Sequence, residues 1–193
     1  TPYHVWVSEI MLQQTRVEAV KGYYDRFLTY LPEIKDLAQA TEETLLKLWE
    51  GLGYYNRARN LQKAAKTITE ELGGVFPSDY ESILRLSGIG PYTAGAIASI
   101  AFGQAVPAVD GNVYRVASRF FGIREDVASP PVQKQIRRLV QESIPEDRPG
   151  DYNQALMELG ATLCSPRQPR CDLCPWQHLC DACREGDQDS LPI

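Results

Sequence analysis

No run of this sequence is apolar for anything near the roughly 20 residues that a membrane-spanning helix needs, and no secretory leader is visible. A membrane partner is therefore not expected. Almost no segment alternates apolar and polar residues as a half-buried strand would, no unit repeats, and no tract is of low complexity. These absences exclude a sheet-built core, a solenoid and a disordered chain. Excess positive charge is missing too. A net charge of −5 cannot hold a polyanion through its bulk field, so any nucleic-acid contact must be made locally.

What is present is ordinary globular material: 44% hydrophobic and 23% charged over 193 residues, enough for one large core or two small ones. The period is helical nearly throughout, which predicts an all-α fold. Helices are expected at about 17–31 (stopped by Pro32), around Leu45–Trp49, and at about 57–72. Further helices are expected at about 92–102, 113–121, 132–142 and 152–163. Ser78 and Glu81 read as a capping box opening a short helix. Ser129-Pro130-Pro131 and 145–150 read as connectors. The chain begins at Thr1 without Met, just before an amphipathic helix, and is expected to be part of a longer protein. Basic residues cluster at Arg57, Arg59 and Lys63, at Arg115 and Arg119, and at Arg167 and Arg170, and could form one basic face.

The most informative stretch is Leu84–Asn112. Leu86-Ser87-Gly88-Ile89-Gly90 reads as a tight two-glycine turn, with Pro91 suited to the first position of the next helix. Such a turn offers backbone N–H groups to an anion without using a charged side chain. Asp110 follows in a short Asp-Gly-Asn segment. An anion-holding turn beside a lone carboxylate suggests chemistry on a phosphate-bearing polymer. Asp110 could equally cap the helix starting near Val113, and Asn112 could be turn chemistry.

Glu9 shares a stripe with Val5 and Leu12. A carboxyl group drawn out of water among apolar neighbours suits a general acid, although a first-turn Glu favoured by the helix dipole would look the same. Tyr54-Tyr55 follow Gly51-Leu52-Gly53 and precede Arg57, which is the material of base stacking or wedging. One of the two rings could instead be core.

Cys164, Cys171, Cys174 and Cys180 have the spacing C-x6-C-x2-C-x5-C, with Cys183 left over. Without a secretion signal a disulfide framework is not expected, and thiolates this close together point to metal. Spacing alone leaves zinc and an iron–sulfur cluster both open. Arg167 and Arg170 lie in the loop between the first two of these cysteines, where they could contact phosphate.

Taken together, S-E-I-M-L-Q-Q-T, G-L-G-Y-Y-N-R-A-R-N, L-S-G-I-G-P-Y-T-A, V-D-G-N-V and the cysteine tail resemble the helix–hairpin–helix DNA glycosylase superfamily, and within it the adenine glycosylases, over essentially the whole chain. The resemblance implies a six-helix barrel lobe (1–106, with the hairpin at about 82–98) and an iron–sulfur cluster lobe (107–193). It implies a [4Fe–4S] cluster on Cys164, Cys171, Cys174 and Cys180, and a monovalent cation at the hairpin. The substrate it implies is double-stranded DNA with adenine opposite 8-oxoguanine, acted on by a monomer located in the cytoplasm at the nucleoid.

In that scheme Glu9 protonates adenine N7 and Asp110 stabilises the oxocarbenium-like sugar. Tyr92 sits beside Asp110 and Asn112 holds the group together. Gln154 contacts the adenine edge, and Leu12 and Met157 wall the pocket. Gln13, Gln14, Tyr54, Arg57, Gly88, Gly90, Thr93, Arg167 and Arg170 contact DNA. Endonuclease III shares this pattern but carries an imine-forming Lys where this chain has Tyr92, and lacks a carboxylate like Glu9. The resemblance further implies an upstream helix and a C-terminal domain that reads 8-oxoguanine, both beyond this sequence.

Overall fold

The computed structural model describes residues 1–193, and every regular element in it is helical. The chain divides into two compact units, Thr1–Phe102 and Gly103–Ile193. The first carries α1 (Pro2–Leu12), α2 (Val17–Tyr30), α3 (Ile34–Gln39), α4 (Glu42–Trp49), α5 (Asn56–Glu71), α6 (Tyr80–Leu84) and α7 (Pro91–Phe102). The second carries α8 (Gly111–Phe121), α9 (Pro130–Ser143), α10 (Pro149–Thr162), a 3-10 turn at Cys171–Leu173, and α11 (Asp181–Glu185). The short α3, the 3-10 turn and α11 lack enough periodic residues to announce themselves in sequence. Pro130 and Pro131, read as a connector, open α9, where a missing N–H costs nothing because the first helical amides have no partner within the helix.

In the first unit α7 is the central element. Its residues from Thr93 to Ser99 are all buried, and their small side chains let α1 and α6 pack against it. α1 contributes Tyr3, Trp6, Val7, Ile10 and Met11 to the core. The stripe of Val5, Glu9 and Leu12 is therefore not the core face; all three are half-buried along its flank. Trp6 meets Phe76 edge-on with ring centroids 5.5 Å apart, and Phe27 meets Trp49 likewise at 6.1 Å.

The second unit closes around Val113, Val116, Ala117, Ile136, Val140 and Leu156, which come from α8, α9 and α10. The extended segment after α7 belongs to this unit by its hydrogen bonds. The fully buried Asn153 accepts from the Ala108 amide (3.2 Å) and donates to the Val106 carbonyl (2.9 Å), while Gln141 donates to the Ala105 carbonyl (2.6 Å). The division accordingly falls before 106, immediately after α7.

The cap of α6 is Asp79, not Ser78. Its carboxylate accepts from the Ser82 amide at 2.9 Å, and hydrogen bonds from Ser82 hold the carboxyl below the usual Asp range. A depressed carboxyl adds stability that is present above the ordinary Asp pKa and is lost as pH falls through the depressed one. In thermal unfolding at neutral pH, Asp79→Ala is expected to lower the midpoint and Ser78→Ala to leave it unchanged. The Asp79→Ala difference should shrink in acid.

Candidate active site and cysteine cluster

In the first unit, α1 and α7 place Glu9 and Tyr92 together. The Tyr92 hydroxyl donates to Glu9 Oε2 at 2.8 Å, and both residues are half-buried. Within its own unit, Tyr92 thus has Glu9 as a carboxylate partner. Leu12, one turn after Glu9, is half-buried on the same flank.

α6, the turn and α7 form a helical hairpin. Leu86 and Ile89 are buried as anchors, while Gly88, Gly90 and Pro91 are exposed. Gly88 takes φ +77°, and a Cβ there would lie 2.7 Å from Asn60 Cβ, so only glycine fits. Thr93 does not face outward. It is 2% exposed, and its hydroxyl accepts a long 3.5 Å bond from Gln13 Nε2. Direct DNA contact by the Thr93 side chain is excluded by that burial, and Gln13 is turned inward with it.

Arg57 also has a different task from the one expected. Its Nη1 donates to the carbonyls of Ile10 (2.8 Å), Met11 (3.2 Å) and Gln13 (2.8 Å), and its Nη2 to those of Leu52 (3.1 Å) and Gly53 (3.3 Å). A guanidinium spent this way closes the C-terminal end of α1 onto the glycine loop and is not available to a phosphate. The residues that follow its outermost carbonyl partners are Gln14 (φ +58°) and Tyr54 (φ +47°), non-glycine residues in the left-handed region. Gln14 is exposed and Tyr54 is 69% exposed. Arg57 thus holds two strained, outward-facing side chains without itself facing out.

In the second unit, Asp110 is the N-cap of α8, with Oδ1 accepting from the Val113 amide at 2.8 Å. Its Oδ2 accepts from Asn112 Nδ2 at 3.1 Å. Asn112 is oriented in turn by Arg115, whose Nη2 donates to Asn112 Oδ1 (2.9 Å) and to the Gly160 carbonyl (2.7 Å). Arg115 Nε donates to the Cys164 carbonyl at 2.8 Å. A continuous chain of hydrogen bonds therefore joins the Cys164 backbone to the Asp110 carboxylate. Sequence reasoning had placed Arg115 only in a basic cluster; its spacing of three from Asn112 and four from Arg119, along one face of α8, was the available signal. On α10, Gln154 is exposed and Met157 packs against the edge of the core.

Cys164, Cys171, Cys174 and Cys180 are half-buried free thiols lining one cavity, together with Phe120, Trp176 and Arg119. Burial among other thiols pushes the Cys171 thiol up to about 11 and raises that of Cys180. Thiols so placed become good ligands only when a positive centre compensates their charge. Arg119, 2% exposed, supplies part of that compensation. Its Nη1 donates to Cys164 Sγ (3.3 Å) and the Ser165 carbonyl (2.7 Å), Nη2 to the Pro166 carbonyl (3.1 Å), and Nε to the Leu191 carbonyl (2.9 Å). The donor set and its buried cation fit an anionic sulfur-ligated centre. Arg167 and Arg170 are exposed on the loop this clamp secures. The expected basic face is thinner than its residue count, because Arg57, Arg115 and Arg119 all point inward.

Residues 7–146 match the family model described as the HhH-GPD superfamily base excision DNA repair protein, and residues 164–180 match the iron–sulfur binding domain of endonuclease III. The chain is 50% identical to an adenine DNA glycosylase of Homo sapiens over 98% of its own length and 35% of that protein's. It is 38% identical to an adenine DNA glycosylase of Buchnera aphidicola over 100% of its own length and 55% of that protein's. It therefore spans between about a third and about half of these curated relatives. Among solved structures it superposes on a thermostable thymine-DNA glycosylase with a TM-score of 0.87, at 31% identity, covering 95% of this chain and 85% of that one. A non-covalent endonuclease III–DNA complex gives a TM-score of 0.81 at 25% identity, with 96% and 86% covered.

The Arg57 clamp yields a direct expectation. Lys at this position keeps the charge but cannot reach both sets of carbonyls, leaving buried acceptors without donors. Arg57→Lys should cost on the order of 2 kcal/mol in urea unfolding. It should also raise hydrogen exchange selectively around residues 13–15 and 52–55.

Proposed function

The chain belongs to the HhH-GPD superfamily of base excision DNA repair proteins, and we propose that it is the catalytic core of an adenine DNA glycosylase. The observation that carries this reading is the Glu9–Tyr92 pair, a carboxyl group held by a phenol at 2.8 Å where an imine-forming Lys would make a lyase. The 50% identity to an adenine DNA glycosylase supports the same substrate.

The adenosine must leave the helical stack before its glycosidic bond can be reached. Glu9 then protonates adenine N7, and the hydrogen bond from Tyr92 fixes the rotation of that carboxyl group. Asp110, clamped by the Val113 amide and by Asn112, offers a carboxylate of set orientation to the positive charge developing on the sugar, as the second carboxylate of a glycosidase does. Tyr92 forms no imine, so the reaction ends at base loss and the enzyme is monofunctional. Gln154, Leu12 and Met157 are assigned to the adenine pocket. Gln14 and Tyr54 are assigned to the duplex beside 8-oxoguanine, where exposed residues held in a strained backbone act as wedges without paying further ordering cost. Gly88 and Gly90 would take a phosphate at the hairpin with a monovalent cation, and Arg167 and Arg170 a second phosphate. The protein acts as a monomer on double-stranded DNA.

The iron–sulfur centre, read as [4Fe–4S], would be held by Cys164, Cys171, Cys174 and Cys180. Four thiols lining one cavity are the donor type that such a centre takes, and residues 164–180 match an iron–sulfur binding domain. When bound it supplies a rigid cross-link, which secures the loop carrying Arg167 and Arg170 and the Cys164 carbonyl that Arg115 grips.

Single-turnover cleavage of a duplex with one adenine opposite 8-oxoguanine tests the reading, with a thymine-glycol duplex alongside. Strand breaks at adenine that require alkali are expected, and Glu9→Gln should slow them by about 10²-fold or more. Cutting confined to thymine glycol and independent of alkali would replace this reading with the pyrimidine-lyase one.

A further inference from the structure

Two buried donors of the first unit have no acceptor within the chain. They are the indole Nε1 of Trp6 and the guanidinium Nε of Arg57. Orphaned buried N–H groups are rare, because each gives up its bond to water on folding. Here both residues line the same small cavity, of about 70 Å³. Its apolar wall comes from one turn of α1, with Trp6 (0% exposed) and Ile10, and from Leu61 on α5, one turn beyond Arg57. Arg57 Nη1 donates to the Ile10 carbonyl at 2.8 Å, which brings the guanidinium to the end of the turn that starts at Trp6. The rest of the lining is polar. It includes Gln13 and the pair in which Ser87, on the hairpin turn, donates through Oγ to Asn60 Oδ1 at 3.2 Å.

We propose that this cavity binds one small hydrogen-bond acceptor, a water molecule or a halide ion, shared by Trp6 Nε1 and Arg57 Nε. Both orphans are N–H groups, so the guest must accept. A guanidinium carries five N–H groups. The four on Nη1 and Nη2 serve five carbonyls, and the guest serves the fifth. None of those partners is a carboxylate, so the chain leaves the charge of Arg57 without a counter-charge and a halide is accommodated as well as a neutral guest. For water, the side-chain oxygens of Gln13 and Asn60 are acceptors for its own hydrogens, which gives the two to four partners an internal water needs. The bound acceptor ties α1 to α5 and completes the Arg57 clamp. Trp6 is thereby a positioning residue for Gln14 and Tyr54, which that clamp holds. The site lies wholly within the first unit and does not depend on which base the protein removes.

The test is NMR of the full isotope-labelled chain, with the Trp6 indole and Arg57 Nε–H signals assigned by triple-resonance methods. In chloride-free buffer both protons are expected to show contact with one long-lived water. Titration with sodium chloride and sodium bromide then separates the two sources. Saturable movement of both signals together identifies a halide, and retention of the water contact without movement identifies water. Trp6→Phe keeps a ring in the core and deletes the indole donor. In that variant the Arg57 Nε–H should exchange with solvent about tenfold faster, and amide exchange should rise at residues 13–15.

The inference is overturned if neither proton meets water or halide and the Trp6 proton shows only the ring-current shift of Phe76, which it meets edge-on. A response from one of the two signals alone also overturns it, since the guest would then not be shared. So does unchanged Arg57 Nε–H exchange in a Trp6→Phe variant whose circular dichroism is that of the folded chain. Should Trp6→Phe fail to fold, the contacts measured in the unaltered chain decide.

Discussion

Two arginines on one face of α8 do what the rest of the second unit depends on. Arg119 and Arg115 spend their guanidinium groups on backbone carbonyls around Cys164 and on the C-terminal tail, and Arg115 also reaches Asn112. Buried cations are tolerated only when every donor is used and negative charge is near. Here the acceptors are carbonyls and a cysteine sulfur, not carboxylates. The consequence is mechanical: the N-terminal end of α8, where Asp110 sits, is referenced to the segment that carries the first cysteine. Anything that orders the cysteine loop also orders the carboxylate's hydrogen-bond partners.

The first unit solves a similar problem with Arg57. The end of α1 and the glycine loop after α4 both expose carbonyls that no helix satisfies, and one planar cation with a fork of donors serves both. Its placement keeps Gln14 and Tyr54 projecting from backbone conformations that neither residue favours. In each unit, then, an inward-turned arginine fixes the surroundings of residues to which the proposed function gives a role. This resolves the tension raised by a net charge of −5 in a protein proposed to bind DNA. Charge is used sparingly on the surface, the hairpin offers backbone amides in its place, and several cations that seemed to belong to a basic face are internal scaffolding.

The superfamily framework leaves specificity to a few side chains. The same fold is superposable on a thymine-DNA glycosylase and on endonuclease III, so the fold cannot decide the base removed. Under the proposed function that decision rests on a carboxyl group at position 9 and a phenol at position 92.

Sequence alone was sufficient for the all-α class, because the 3.6-residue period of apolar residues is a local property and α2, α5, α8 and α9 each express it. It was sufficient for the hairpin as well, since a two-glycine turn followed by Pro91 is chemistry confined to a few neighbours. A cysteine cluster suited to metal was legible from spacing in the same way, and the four thiols do line one cavity. Tertiary structure decided what lies on the other side of each residue. Val5, Glu9 and Leu12 looked like a core stripe, and only the packing of α1 on α7 shows that Trp6, Ile10 and Met11 hold that place. Thr93 and Arg57 were expected at DNA, and Arg115 and Arg119 on a basic face. Each was reassigned by a partner distant in the chain, such as Gln13, Ile10, Gly160 or Leu191. A side chain's period names its helix, but its hydrogen-bond partner is set by which helices meet, and no local pattern encodes that meeting.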